Sequence, residues 1–418
     1  MNERARLRRD VAWNVVPVAL LGVVGLGLNF VIIGWWSTEA LGVFNLVTIA
    51  LFVTAVVGAF GLQYAVLHAV AAAGGQAAAP IVVGALVPGV VIAAAATGAF
   101  LALRGAIARL LGDDVAAGML WAAPAVFCFS INKILFGVVN GLRRMRAFAL
   151  YTSLRYVLIA VGVVLARAWR VEPDHLAVIW TLSEGTLLVV LAIELAATVA
   201  LARGAGWRAW ARRHLDYGGR GLTATLAYEI NTKLDVWMLG AAGIAKELVG
   251  VYSVAAAINE GATQLAVALQ NNLNPMIARE LAGGRPGEVE ALVRRTRRWF
   301  VPGFALACAL GAGLFPRVIP AVLHDPHLAL GGLPFAILMA GLVAASPYLP
   351  FNQVLLMAER PGWHTALLVC VVAVNFAGDL ALIPRLDLVG AAIATSSAAV
   401  CAALLVRRLA RTRAGVRL

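Results

Sequence analysis

The chain has 418 residues, of which 62% are hydrophobic and 13% charged, and its mean hydropathy is +0.87. Soluble domains carry about half and about a quarter respectively, so this composition excludes a water-soluble globular protein and indicates a polytopic membrane protein. The net charge of +13 does not point to nucleic acid, because the arginines cluster between apolar runs, where they act as topology signals.

Twelve segments are apolar over about 20 residues or more, the length needed to cross a bilayer: 11–34, 42–70, 80–103, 116–140, 147–168, 176–202, 221–243, 248–277, 300–323, 328–357, 363–383 and 388–406. The first follows Arg4, Arg6, Arg8 and Arg9. It exceeds a signal-peptide core and no small-residue cleavage motif follows it, so it reads as an uncleaved helix. An even number of spans puts both termini on one side. With the N-terminus inside, 24 basic residues fall in cytoplasmic segments and seven in outer ones, which supports cytoplasmic termini in a cell inner (plasma) membrane. Lys133, Arg155 and Lys233 remain within spans. The longest connections, 203–220 and 278–299, leave no room for a soluble catalytic domain, so no enzyme activity is expected.

The run LGVFNL at 41–46 matches VGVYSV at 249–254, an offset of 208 residues. Two six-helix lobes in parallel orientation follow, 1–209 and 210–418, joined through the basic segment 203–220. Parallel repeats of this kind are a transporter architecture with the substrate path between the halves.

Ionisable residues inside spans are expensive and mark functional positions. In the seventh span, Lys233 lies about twelve residues from the cytoplasmic end, about 18 Å deep, beyond easy snorkelling. Glu229 and Lys233 share one helical face and Asn231 and Asp235 a nearly opposite one. A Glu229–Lys233 ion pair is one reading and a cavity-facing cation the other. In the eighth span Glu260, Gln264, Asn271 and Asn274 form one polar stripe, with Asn259 beside Glu260. Pro275 ends the stripe and is placed to kink the helix. Arg155 and Lys133 lie nearer the cytoplasmic surface, where a guanidinium suits two phosphate oxygens. Glu184 is the cavity candidate of the sixth span. Glu194 and Asp379 lie near span ends and read as incidental. Pro347 and Pro350 mark a broken or bent tenth span. His324 and His327 sit in a short outer loop without further ligands, and no metal site is assigned. Cys128, Cys308, Cys370 and Cys401 are spaced neither as a metal site nor as a CxxC pair and read as small core residues.

The pattern N-x-K-L-D-V-W-M-L-G at 231–240, V-G-V-Y-S-V-A at 249–255 and N-P-M-I-A at 274–278 resembles the Wzx-like polysaccharide-biosynthesis flippases of the MOP superfamily, relatives of the MATE transporters and the lipid II flippase. So do L-G-V-F-N-L at 41–46, G-L-Q-Y-A at 61–65 and I-P-R-L-D-L-V-G-A-A-I-A at 383–394, in which Asp387 stands where the family usually has Gly. The resemblance implies an all-α MATE/MOP-like fold working by alternating access. It also implies a substrate that is a polyprenyl-diphosphate-linked oligosaccharide, flipped from the inner to the outer leaflet for cell-surface polysaccharide biosynthesis. Lys233, Arg155 and Lys133 then become the diphosphate contacts, and the polar stripe of the eighth span a wall for sugar. No cofactor is expected, and coupling would be to Na+, H+ or the membrane potential. Expected partners are membrane lipids and the polymerase and glycosyltransferase machinery, not nucleic acid. The alternative is a MATE-like cation-coupled multidrug or metabolite antiporter, with Asp235, Glu229 or Glu260 as the ion site.

Overall fold

A computed structural model describes residues 24–25, 27–73, 78–142, 144–199 and 206–418, without the side chains at 78, 224, 228 and 275. Most of the first expected span, the four N-terminal arginines, Arg143, Arg203 and the Pro275 side chain therefore lie outside the described residues. Every described element is helical: α1 (27–35), α2 (Thr38–Ala59), α3 (Leu62–Ala72), α4 (Ala78–Ala102), α5 (Arg104–Leu111), α6 (Asp113–Gly141), α7 (Met145–Ala168), α8 (Val178–Thr198), α9 (Trp207–Asn231), α10 (Leu234–Ala241), α11 (Lys246–Ala282), α12 (Pro286–Leu323), α13 (Gly332–Ala345), α14 (Val354–Met357) and α15 (Pro361–Arg413), with short 3-10 turns between some of them. Among the described residues, eight helical segments are long and apolar enough to span a membrane. The fold is the expected all-α polytopic one.

The chain forms two compact units, Met1–Glu229 and Ile230–Leu418; the expected junction at 209/210 lies inside α9. In the first unit α6 is the hub, packed by α2, α3, α4 and α8. Its core gathers Leu62, Val66, Ile81, Ile134, Leu135 and Leu187. In the second unit α15 plays that part, with α10, α13 and α14 against it, over Leu273, Ile277, Val293, Phe351, Val354 and Leu367. The starts of α2 and α11, Thr38 and Lys246, are separated by the same 208 positions as those of α4 and α12, Ala78 and Pro286. The sequence repeat is thus carried by element order as well as by a motif.

Five expected spans, and one expected connection, depart from the simple pattern. The second breaks into α2 and α3 because Phe60 and Gly61 are both left-handed, at φ 50° and 69°. Gly61 also rests on α9, where a Cβ would meet the Gly218 carbonyl oxygen at 2.7 Å. Segment 203–220, expected as a connection, is helical from Trp207. This stretch of α9 is held to the first unit by Trp210 against Gly84 and by the His214 Nε2 contact to the Ile81 carbonyl at 3.1 Å. Burial pushes the His214 imidazole below its ordinary pKa, towards the neutral form.

The seventh span is interrupted at Thr232 and Lys233, and Lys233 stands at the N-cap of α10 with φ −133°. The tenth is broken between α13 and α14, at Ser346 to Gln353, where Pro347 and Pro350 remove helix donors. Arg297 of α12 closes that break, donating from Nε to the Pro347 carbonyl at 2.6 Å with its guanidinium 4.3 Å from the Tyr348 ring. The eleventh and twelfth spans are two arms of α15. The chain reverses at Asp387, φ 48° and ψ −126°, so tightly that a Cβ on Gly390 would lie 2.5 Å from the Leu382 carbonyl oxygen. The family's usual glycine at this position is explained by that backbone.

Candidate functional site

The first unit holds its interior charges on α6, α7 and α8. Glu184 and Asn132 are fully buried. Arg155 of α7 pairs with the Glu184 carboxylate, donating from Nη2 to Oε2 at 3.1 Å, with Nε 2.8 Å from Oε1 as an ion-pair contact that makes no hydrogen bond. Asn132 of α6 donates to the same Oε2 at 2.8 Å and to the Glu184 carbonyl at 2.9 Å. The guanidinium lies 4.7 Å from the Phe129 ring centre and 5.0 Å from that of Phe136. Lys133 approaches the same Phe129 ring, Nζ to centre 5.2 Å, and makes no ion pair within 4 Å among the described residues. Helical spacing explains the set: Phe129, Asn132, Lys133 and Phe136 recur at three- and four-residue intervals and share a face of α6. Glu184 and Glu229 are the acids in Coulombic range of Lys133, so charge in this cluster is balanced.

Glu194 is not incidental: it binds Arg144 and accepts from the Tyr151 hydroxyl at 2.9 Å, tying the C-terminal part of α8 to the start of α7.

The second unit is arranged differently. The break after Asn231 takes Lys233 off the α9 face, and its Nζ meets Glu260 Oε2 of α11 at 2.7 Å. The expected geometry of two polar faces on one continuous seventh helix is therefore replaced by a cross-link between α10 and α11. Both side chains stay accessible, at 32% and 46%. Asn231 and Asn259 each keep a buried amide oxygen without a partner. The polar stripe survives because α11 is one continuous helix. Gln264 is half-buried and Asn271 exposed, while Asn274 leaves the stripe's role to bond Gln353 Oε1 at 2.8 Å, bracing the α13–α14 break.

Asp235 begins α10, where the helix dipole favours an anion. It is buried, and its Oδ2 accepts from the Tyr252 hydroxyl at 2.7 Å and the Thr395 hydroxyl at 3.3 Å. Its Oδ1 accepts from the Val236 amide at 2.9 Å. Asp379, on the first arm of α15, is near enough to feel the Asp235 charge. Asp379 and Asn375 are 0% and 1% exposed, and both Asp379 oxygens and the Asn375 Oδ1 lack hydrogen-bond partners. Two buried carboxylates and an amide oxygen, with no cation within 4 Å of either carboxylate among the described residues, cost several kcal/mol unless a proton or cation joins them. Such a hard-oxygen donor set fits a small hard cation. Asn375, Asp379, Tyr252 and Thr395 were not singled out from sequence. The available signal was Asn375 and Asp379 four residues apart inside an apolar span.

The four cysteines are free. Elsewhere, His327 contacts Glu247.

No family model and no curated protein matches the chain. Solved structures do. The chain is similar to the lipid II flippase MurJ in an inward closed conformation, with TM-score 0.79 and 12% identity over 96% of this chain and 88% of that one. An inward-facing multidrug resistance MATE family transporter of the MOP superfamily gives TM-score 0.79 and 14% identity over 96% and 98%. A mutant form of the Vibrio cholerae MATE transporter VcmN gives 0.65 and 16% over 97% of each chain. At these identities the likeness establishes the fold alone, the one that these transporters share.

Proposed function

We propose that this protein is a cation-coupled membrane transporter that flips a polyprenyl-diphosphate-linked oligosaccharide from the inner to the outer leaflet by alternating access. The observation that carries the reading is the placement of Lys133 and Arg155 on one aromatic face inside the first unit. A diphosphate is recognised by such cations. Arg155 is held ready rather than spent: a phosphate offers its fork the same paired oxygens as Glu184. The substrate exchanges with Glu184, and Asn132 retains the displaced carboxylate. Lys133 supplies a further charge without breaking an ion pair. The Lys233–Glu260 pair, being accessible, offers a second point of exchange.

In the second unit, Asp235, Asp379 and Asn375 bind the driving Na+ or H+. Thr395 and Tyr252 orient Asp235 by donating to its oxygen. The protein acts in a cell inner membrane with both termini in the cytoplasm, beside the polymerase and glycosyltransferases of surface-polysaccharide synthesis.

The second reading is a cation-coupled multidrug or metabolite antiporter, favoured by those same carboxylates. Proteoliposomes separate the two. Lys133→Ala should lower flipping of a diphosphate-linked oligosaccharide roughly 10- to 100-fold, the worth of one charge-assisted contact, with an unchanged melting profile. Wild-type flipping by the mutant contradicts the assigned role. Drug efflux driven by Na+ or H+ without lipid flipping establishes the antiporter instead.

A further inference from the structure

A groove of about 680 Å³ runs along the surface of the second unit between α13 and the second arm of α15. Its floor forms where the two helices come closest. A Cβ on Gly341 would sit 2.5 Å from the Ser396 Cβ, and the Ser396 hydroxyl is already used on the Ile337 carbonyl at 3.0 Å. Ala340 and Ala344 form one wall, Val400 and Leu404 the other, and Arg408 stands at one end. α13 stops at Ala345 while α15 continues to Arg413, so the end near Arg408 is walled by α15 alone. Ala340, Ala344, Leu404 and Arg408 are all exposed in this unit.

We infer that this groove is a binding site for a resident anionic phospholipid, with one acyl chain lying between α13 and α15 and the phosphate on Arg408. Three features choose that occupant. The lining is apolar with its charge confined to one end, as in a lipid. The twelve residues from Ser396 to Arg408 span about 18 Å of helix, close to the roughly 15 Å of one leaflet's hydrocarbon, which suits an acyl chain better than a far longer polyprenyl tail. The terminal cation is an arginine, which takes two phosphate oxygens at once. Arg408 belongs to a basic helix end with Arg407, Arg411 and Arg413, which adds attraction for a negative leaflet surface.

The site is independent of what the protein transports, and its test does not use transport. Full-length protein in nanodiscs of equal phosphatidylglycerol and phosphatidylcholine would be labelled by trace lipid of either headgroup carrying a photoreactive acyl chain. The expected result is preferential labelling by phosphatidylglycerol in the peptide containing Val400–Arg408. Arg408→Gln should lower that preference roughly tenfold while leaving chain labelling in place, and Arg408→Lys should restore part of it. Ala340→Phe with Ala344→Phe fills the groove from exposed positions and should suppress labelling by both lipids. Equal labelling by the two lipids, unaffected by Arg408→Gln, overturns the proposal. So does displacement of phosphatidylglycerol by an equal amount of polyprenyl phosphate, which assigns the groove to a carrier lipid.

Discussion

The two units share a 208-residue spacing between the starts of α2 and α11 and of α4 and α12, and yet store charge in opposite ways. In the first unit the buried Glu184 carboxylate lies against the Arg155 guanidinium and accepts from Arg155 and Asn132 at Oε2, while its Oε1 has an ion-pair contact but no hydrogen bond, and Lys133 shares the aromatic platform. In the second, Asp235 and Asp379 are buried carboxylates with only hydroxyl and amide donors around Asp235 and none on Asp379. The positions of Arg155 and Glu184 correspond at the repeat offset to Trp363 and Ala392, while Asp235 and Asp379 correspond to Gly27 and Val171. Neither charge cluster is a relic of the repeat. One unit holds a cation–carboxylate cluster and the other two buried carboxylates with no cation within 4 Å among the described residues, a division that the proposed coupled transport of an anionic substrate would use.

The sharpest way to break this contrast is at Asp379. Asp379→Asn removes the uncompensated charge and should abolish dependence of transport on a Na+ or H+ gradient. Wild-type protein should also gain stability with the driving cation, about 2.7 kcal/mol at a concentration 100 times the dissociation constant. The mutant should gain none in the same calorimetric scan. An unaltered cation response in Asp379→Asn removes the carboxylates from coupling.

Next in size is the first unit. Arg155→Met strands Glu184 and should cost about 3–5 kcal/mol, whereas Arg155→Met with Glu184→Met should be close to neutral. A double-mutant cycle by thermal or denaturant unfolding measures this. Equal losses in the single and double mutants would show that the pair is not the coupled unit described.

The smallest expected effect lies at the α15 reversal, outside both clusters. Asp387→Gly relieves a positive-φ residue and should stabilise by about 1 kcal/mol, without changing substrate or cation dependence. A change in coupling from this mutation would mean that strain at the hairpin communicates with Asp379.

Much of the fold was legible because apolar runs and arginine clusters obey length and topology rules that need no tertiary contact. The break at Pro347 and Pro350 was legible for the same reason. The break at 232–233 was not, since Ile230, Asn231 and Thr232 are only mildly poor helix formers and no Pro or Gly marks the spot. That interruption places Lys233 at the N-cap of α10, where it pairs with Glu260 of the next span. Asp379 was passed over because its distance from the span end was weighed and its neighbours were not. Its significance comes from Asn375 one turn back and from Asp235 on another helix, and the second contact is set by folding alone. Arg155 and Glu184 were both picked out, but their pairing depended on how α7 packs on α8.

The most direct measurement of the central claim is flipping of a polyprenyl-diphosphate-linked oligosaccharide in proteoliposomes under an imposed Na+ or pH gradient, with wild type, Lys133→Ala and Asp379→Asn side by side. Wild type should flip in a gradient-dependent way. Lys133→Ala should lose rate while keeping the gradient dependence, and Asp379→Asn should lose the gradient dependence itself. The same response to both mutations, or flipping by wild type that ignores every cation gradient, would contradict a division of labour between the two units.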